Sequence, residues 1–269
     1  MTEIDIVPRR REILKKLYEE PRHKRDLVAE LDSSRSTVDR AVRELENAGL
    51  VERQHDGYTA TLIGRLALDC YSIYRNESEA IFDAEAALEP LPNGCDLPLE
   101  LIGNATVRVA TDPAPYRPME QIHQTIRESD SFRMILPVLY DTRFLHCCYE
   151  HAVEEGNDTE LVVDETVVQT VREDFPEQLK EKIDCEWFTL RAGETTPYGL
   201  LLSTAEGETT VIVVVFDRSF GPVHAILQTA DPGAVQWAEE RFERATAESA
   251  DIVESVSASG HLDGKETTT

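Results

Sequence analysis

Three times in the first 61 residues, apolar side chains recur at helical spacing, and a hairpin signal follows directly. RRREILKKLY (9–18) sets Ile13, Leu14 and Leu17 on one stripe that Pro21 ends. HKRDLVAEL repeats the pattern with Leu27, Val28 and Leu31. Asp32, Ser33 and Ser34 then interrupt it, and serine is a strong helix N-cap. The third segment, RSTVDRAVRELENAG, gathers Val38, Ala41, Val42 and Leu45 on one face and stops at Gly49. LVERQHDGYTAT reads as two short extended arms around Asp56-Gly57. Three short amphipathic helices cannot bury their stripes alone, so they must share one small core beside the hairpin.

The outward face of the third helix is the informative one. At 100° per residue, Ser36, Arg40 and Arg43 lie across the helix from Val38. A helix showing one short polar side chain and two arginines fits the major groove, where arginine grips guanine O6 and N7. Ser33, Ser34, Arg35 and Thr37 at its start suit phosphate, through side chains and free backbone N–H groups. On the hairpin, Arg53, His55 and Tyr58 would meet the neighbouring backbone or the minor groove. The order describes a winged helix-turn-helix, with double-stranded DNA as the expected partner. A three-helix module that docks on protein is the bland alternative.

Net charge of −25 argues against a nucleic-acid partner until its distribution is seen. Residues 1–61 hold 12 Lys and Arg against 13 Asp and Glu, and the rest of the chain 15 against 39. Such asymmetry separates a nucleic-acid module from its neighbour. Only six of the 27 basic residues are lysine, a composition that fits the high-salt cytoplasm of salt-loving archaea. Multimolar salt removes most of the counterion-release drive for DNA binding, leaving base contacts and shape to carry affinity. The five cysteines have no CxxC spacing, which fits a reduced cytoplasm. No secretory leader and no run of ~18 apolar residues appears, so a cytoplasmic chain without membrane contact is expected.

After the hairpin, Thr61 caps a helical stretch reaching about Leu88. Its apolar residues (Leu62, Leu66, Ile73, Ile81, Phe82) exceed the needs of one small domain, so residues 62–90 are expected to be a linker helix that forms a homodimer. Pro90, Pro92 and Asn93-Gly94 mark a boundary. From 105 to 250, strand-like runs (ATVRVAT, FRMILPV, TELVVD, CEWFTL, YGLLLS, VIVVVF, HAILQT) alternate with helical ones (PMEQIHQTIRES, RFLHCCYEHAVEEG, DFPEQLKEKI, and PGAVQWAEERFERATAES last). This predicts an α/β domain with a mixed sheet, largely parallel but antiparallel over its last three strands. Residues 252–269 lack a pattern and read as a disordered tail. The whole is thus a two-domain α/β chain: DNA-binding domain 1–61, linker helix 62–90, effector domain 105–250.

RDLVAELDSSRSTVDRAVRELENAGLVER followed by YTATLIGR resembles the winged-helix domain of archaeal transcriptional regulators. Tyr58, Thr61, Gly64 and Arg65 echo that family's wing exit, one residue shorter between Thr and Gly. Ala105-Thr106-Val107, the TPYGLLL stretch (196–202) and ADPGAVQWAEERFE (230–243) resemble the effector domain of the methanogenesis-regulatory-protein type. The resemblance implies DNA binding coupled to a domain sensing a small-molecule effector. Pro197 and Tyr198, between two predicted strands, are the candidate effector-binding residues. An adaptor whose α/β domain recruits a protein partner is the competing reading.

Other constellations carry less. Cys147 and His151 fall at i, i+4 and could share a metal, but no further Cys or His cluster completes a tetrahedral set. Cys147-Cys148 as a redox pair is a weaker reading than two buried thiols. The chain lacks GxGxxG, GxxxxGK[ST] and GxSxG, so no enzyme, cofactor or metal is expected.

Overall fold

The computed structural model describes residues 5–139, 141–177, 179, 185–217 and 222–252. The chain divides into two compact units, Met1–Glu79 and Ala80–Thr269.

The first unit runs α1 (Ile6–Glu19), α2 (Lys24–Glu30), α3 (Arg35–Asn47), β1 (Val51–Gln54), β2 (Gly57–Ala60) and most of α4 (Leu62–Asp83). Leu14 and Leu17 of α1, Leu27 of α2, and Val38, Ala41, Val42 and Leu45 of α3 are wholly buried. Each large side chain among them is worth about 1.5–3 kcal/mol of burial. Val28 and Leu31 are only partly covered. Ser34 caps α3, its Oγ accepting the Thr37 amide at 3.2 Å.

The hairpin pairs Gln54 with Gly57, so its loop is His55-Asp56, one residue earlier than the Asp56-Gly57 turn read from the sequence. Gly57 instead opens β2 at φ +128°, where a Cβ would sit 2.3 Å from the Arg22 carbonyl oxygen. That closeness arises because Arg22 and Tyr58 exchange backbone hydrogen bonds at 3.0 and 2.8 Å. Thr61 Oγ1 donates to the Gly49 carbonyl (2.7 Å) and accepts the Gly64 amide (3.0 Å), joining the end of α3 to the start of α4.

The second unit holds α5 (Glu85–Leu88), α6 (Leu99–Gly103), β3 (Thr106–Val109), α7 (Arg117–Arg127), β4 (Ser131–Leu136) and α8 (Thr142–Tyr149) with a π-helical turn over Glu150–Glu154. There follow β5 (Asp158–Val163), α9 (Glu165–Asp174), β6 (Phe188–Ala192), β7 (Gly199–Ala205), β8 (Glu208–Phe216), β9 (Val223–Thr229), α10 (Pro232–Ala247) and β10 (Ala250–Asp251). The eight strands lie in the order β10-β6-β5-β4-β7-β8-β9-β3. Only β4–β5 and β5–β6 pair in parallel. The sheet is mixed as expected, but its pairing, expected to be largely parallel, is corrected to mostly antiparallel. The antiparallel β7–β8–β9 run is as the sequence predicts; the difference lies at β4–β7, β3–β9 and β10–β6. These strands are not consecutive in the chain, and no single crossover helix links them as in β4–β5 and β5–β6.

Side chains alternate across this sheet and both faces are covered. Phe132, Met134 and Leu136 of β4 pack with Ile122, Ile126, Phe144 and Val168. Ile135 faces the other way, with Leu101, Leu200, Ala234 and Phe242. Helices on each face give three layers.

All seven expected strands form, but the helices differ in places. ETVVQTVRED forms α9, unforeseen because its β-branched residues favour strand. Asp164 caps it by accepting the Thr166 amide at 2.9 Å, and Val167, Val168 and Val171 are buried. Half of the helix expected over 174–183 lies outside the described residues. The linker helix, expected as one piece to about Leu88, breaks at Ala84, which is buried against the sheet with Ala87. The C-terminal domain does not end at 250: Ala250 and Asp251 pair with β6, and Ile252 is buried. The remainder of the expected tail, 253–269, lies outside the described residues. Among those described, no helix is long and apolar enough to cross a membrane.

Candidate nucleic-acid interface

The α3 helix and hairpin place nearly every sequence-predicted contact residue at the surface. Ser34, Arg35, Ser36, Thr37, Arg40 and Arg43 are exposed, as are Arg53 and His55 on the hairpin. At the start of α3 the Ser34 hydroxyl lies 2.9 Å from Ser36 Oγ and 2.8 Å from Thr37 Oγ1. Three hydroxyls and the first-turn amides of a 13-residue helix thus share one spot, where an anion's charge is favoured.

The arginines are not equivalent. Arg40 donates to Glu44, whose second oxygen accepts from Arg10 of α1 at 2.9 Å. Hydrogen bonds from Arg10 and then Arg40 hold the Glu44 carboxyl below its ordinary range. Arg40 therefore reaches outward with its terminal nitrogens only. Most other cations of the unit are engaged: Arg11 with Glu12, Lys16 and Arg22 with Glu30, Lys24 with Asp39, Arg25 with Asp26, and Arg75 with Glu79. Arg9 donates to a backbone carbonyl, and Arg65 lies over the Tyr18 ring. Among the described residues of this unit, Lys15, Arg35, Arg43 and Arg53 are left without acid, carbonyl or ring. Three of these four stand on α3 and the hairpin.

Tyr58 is placed differently from the rest. It is half-buried, bridged to Arg22 through its backbone, and its ring lies under Lys24 Nζ at 5.2 Å. Its role there is to hold the segment before α2 against the hairpin.

The two residues expected to line an effector pocket part company. Pro197 is exposed, while Tyr198 is 1% exposed and tilted against Trp237 with ring centroids 6.3 Å apart. Burial pushes the Tyr198 phenol up to about 12. Tyr198 is a core residue, and a cleft elsewhere in this unit went unnoticed because its lining comes from loops far apart in sequence.

His151 accounts for both ring nitrogens without metal: Nδ1 lies 2.8 Å from Thr159 Oγ1, and Nε2 3.1 Å from Ser129 Oγ and 3.1 Å from the Ser129 carbonyl. Burial holds it below its ordinary value. Cys147 and Cys148 are buried, and burial pushes the Cys147 thiol up, away from the reactive thiolate. Among the described residues no group of three or more His, Cys, Asp or Glu is arranged to hold a metal.

A helical unit with a hairpin and a three-layer α/β unit define the class: a two-part α/β chain. Residues 115–248 match the middle domain of methanogenesis regulatory protein FilR1, and residues 5–81 match the HVO_A0261 N-terminal domain. No curated protein matches the chain. Among solved structures, it is similar to TrmBL2, described as an archaeal chromatin protein with a novel mode of DNA binding, at 13% identity and a TM-score of 0.43, over 81% of this chain and 83% of that one. It is also similar to NucT from Helicobacter pylori at 9% identity and a TM-score of 0.41, covering 55% of this chain and 98% of that one. Phosphatidylserine synthase from Haemophilus influenzae Rd KW20 follows at 8% identity and a TM-score of 0.41, covering 55% and 39%. None of these structural likenesses is close enough to bring a partner or an activity with it.

Proposed function

We propose that this chain is a cytoplasmic transcription regulator without catalytic activity, reading double-stranded DNA as a homodimer through a winged helix-turn-helix. In this reading α3 enters the major groove, the hairpin is the wing, and the second unit senses an effector. The observation that carries it is the unpaired set Arg35, Arg43 and Arg53, gathered on α3 and the hairpin of a unit whose other cations are mostly neutralised. The match of residues 115–248 to a regulatory protein's middle domain supports the same reading. The acidic, lysine-poor composition supports a high-salt setting.

Dimerisation rests on α4. Ile63, Leu66, Cys70 and Ile73 recur at three- and four-residue spacing and are all exposed, while Gly64 and Leu68 face the core. That seam has the heptad spacing of paired helices.

The test is selection from a pool of randomised duplexes, followed by titration of the enriched sequence. Wild type should bind it with a preference over scrambled duplex that both Arg43→Ala and Arg53→Ala weaken. Absence of any enriched duplex would overturn the proposal.

A further inference from the structure

Within the second unit, residues after β3, at the start of α8, at the end of β8 and at the start of β9 line an open cleft of about 440 Å³. That lies in the range of small-molecule sites, roughly 300–1,000 Å³. Its wall carries charges of both signs: Asp112, Asp141 and Asp217 against Arg143, with the exposed Tyr116 ring at the rim.

Arg143 is held in advance of any ligand. Its Nε lies 2.9 Å and one terminal nitrogen 2.8 Å from Asp141 Oδ2, and Asp141 Oδ1 accepts the Arg143 amide. Asp141 is itself mostly covered; burial raises its pKa, but the Arg143 hydrogen bonds prevail and leave it lowered. With its inner edge fixed and its side chain 70% exposed, Arg143 presents its remaining donors outward. Such an edge takes a carboxylate in two parallel hydrogen bonds, and fixing it beforehand lowers the ordering cost of binding. Asp112 is exposed and makes no contact with a cation among the described residues. Asp217 faces His224 Nδ1 at 3.3 Å, whose Nε2 lies 2.8 Å from the Ala86 carbonyl.

Two further observations point to an occupant. His123 is buried with its Nε2 lacking a hydrogen-bond partner, 3.9 Å from the Asp141 carboxylate that lines the cleft. A buried unpaired ring nitrogen is costly and calls for a partner supplied by water or a bound molecule. Pro115, Met119, Pro222 and Val223 give the same cleft an apolar wall. The cleft therefore has a carboxylate-binding side, an amine-binding side and an apolar wall.

The geometry points to this cleft as the binding site for a small zwitterion, an amino acid with an apolar side chain. Its carboxylate lies on Arg143, its ammonium on Asp112 and Asp217, and its side chain along the apolar wall of Met119 and Val223. Its role as the effector rests on the regulator reading; the binding itself does not.

The full chain is titrated calorimetrically with leucine and phenylalanine, then with 4-methylpentanoate and 3-methylbutylamine, which keep one charged group each. At least one amino acid should bind, and both single-charge analogues should bind about tenfold more weakly or worse. Arg143→Gln and Asp112→Asn should each lose about tenfold, with Arg43→Ala unchanged; Asp112→Asn removes no contact that holds the fold. Heat from neither amino acid, an amine or acid that binds as tightly as its parent, or an unaffected Asp112→Asn would each overturn the site. Duplex binding, measured separately, tells the two failures apart. A chain that binds DNA but no amino acid loses only the cleft; one that binds an amino acid but no DNA loses only the regulator reading.

Discussion

Arg40 donates its Nε–H to Glu44 Oε1 at 2.9 Å, one turn further along the same helix. Because Glu44 also accepts from Arg10, a single carboxylate restrains one contact residue and ties α3 to α1. Arg43, between them in sequence, is exposed and has no acidic partner among the described residues. The two arginines should therefore respond differently to replacement. Arg43→Ala should weaken specific duplex binding more than Arg40→Ala, and the double variant should abolish it with little change in Tm. Glu44→Gln should strengthen non-specific binding and steepen its salt dependence, since it releases two cations and removes a negative charge. Fluorescence anisotropy at several salt concentrations checks both; a double variant that binds like wild type would show that α3 is not the reader.

Gly64 lies where α4 starts against the end of α3. A Cβ at this position would fall 1.9 Å from the Leu50 carbonyl oxygen. Neither backbone can yield without breaking the Thr61 contacts to Gly49 and Gly64. Gly64→Ala should cost about 1–3 kcal/mol or more, as overpacking does. Gly57→Ala should also destabilise, through its positive φ and its contact with Arg22. Urea unfolding gives the comparison, and a Gly64→Ala midpoint equal to wild type would contradict the packing described.

Acid should destabilise the second unit in two stages. Burial depresses His123 and His151 below their ordinary value. The unfolded chain then takes up protons first as pH falls through about 6.5. Stability complete above that pH should decline below it, until the folded-state values are reached. Asp141 and Asp164 are also depressed, so their stabilisation holds above the ordinary carboxylate range and is lost as pH falls through their lowered values. Scanning Tm downward from about pH 7.5 to 5 tests the first stage. A Tm that rises over that range would show the histidines to be charged in the fold.

The strands and the first three helices were legible because their signal is local: burial repeats every 3.6 or 2 residues, and Val38, Ala41, Val42 and Leu45 are buried as that spacing requires. What escaped depends on partners distant in sequence. The hairpin loop falls on His55-Asp56 because Gly57 must make room for Arg22, more than thirty residues earlier. Helix α9 carries strand-forming valines, and packing under the sheet overrides their propensity. Tyr198 beside a turn looked accessible, yet Trp237 of α10 covers it. The Glu44 bridge and the Asp141 cleft left no motif at all, since each is assembled from separate elements.

The exposed seam of α4 yields the last prediction. Leu66 is 60% exposed and Ile73 58%, with Cys70 between them on the same face. Covering each large apolar side chain is worth about 1.5–3 kcal/mol, enough over several residues to favour a second copy. Charged substitutions at Leu66 and Ile73 should give monomers that keep the α/β fold but lose duplex affinity, because a twofold reader halves its contacts when split. Cys70 supplies an internal reporter for the same interface. In wild type its alkylation should be slow and should quicken on dilution, while in the Leu66→Glu variant it should be fast at every concentration. Cys147 and Cys148, buried in the other unit, should stay unmodified in both until the chain unfolds. Sedimentation velocity read alongside the alkylation rates decides the matter: a wild type that is monomeric at micromolar concentration, or a Leu66→Glu variant that remains dimeric, places the dimer contact elsewhere or removes it.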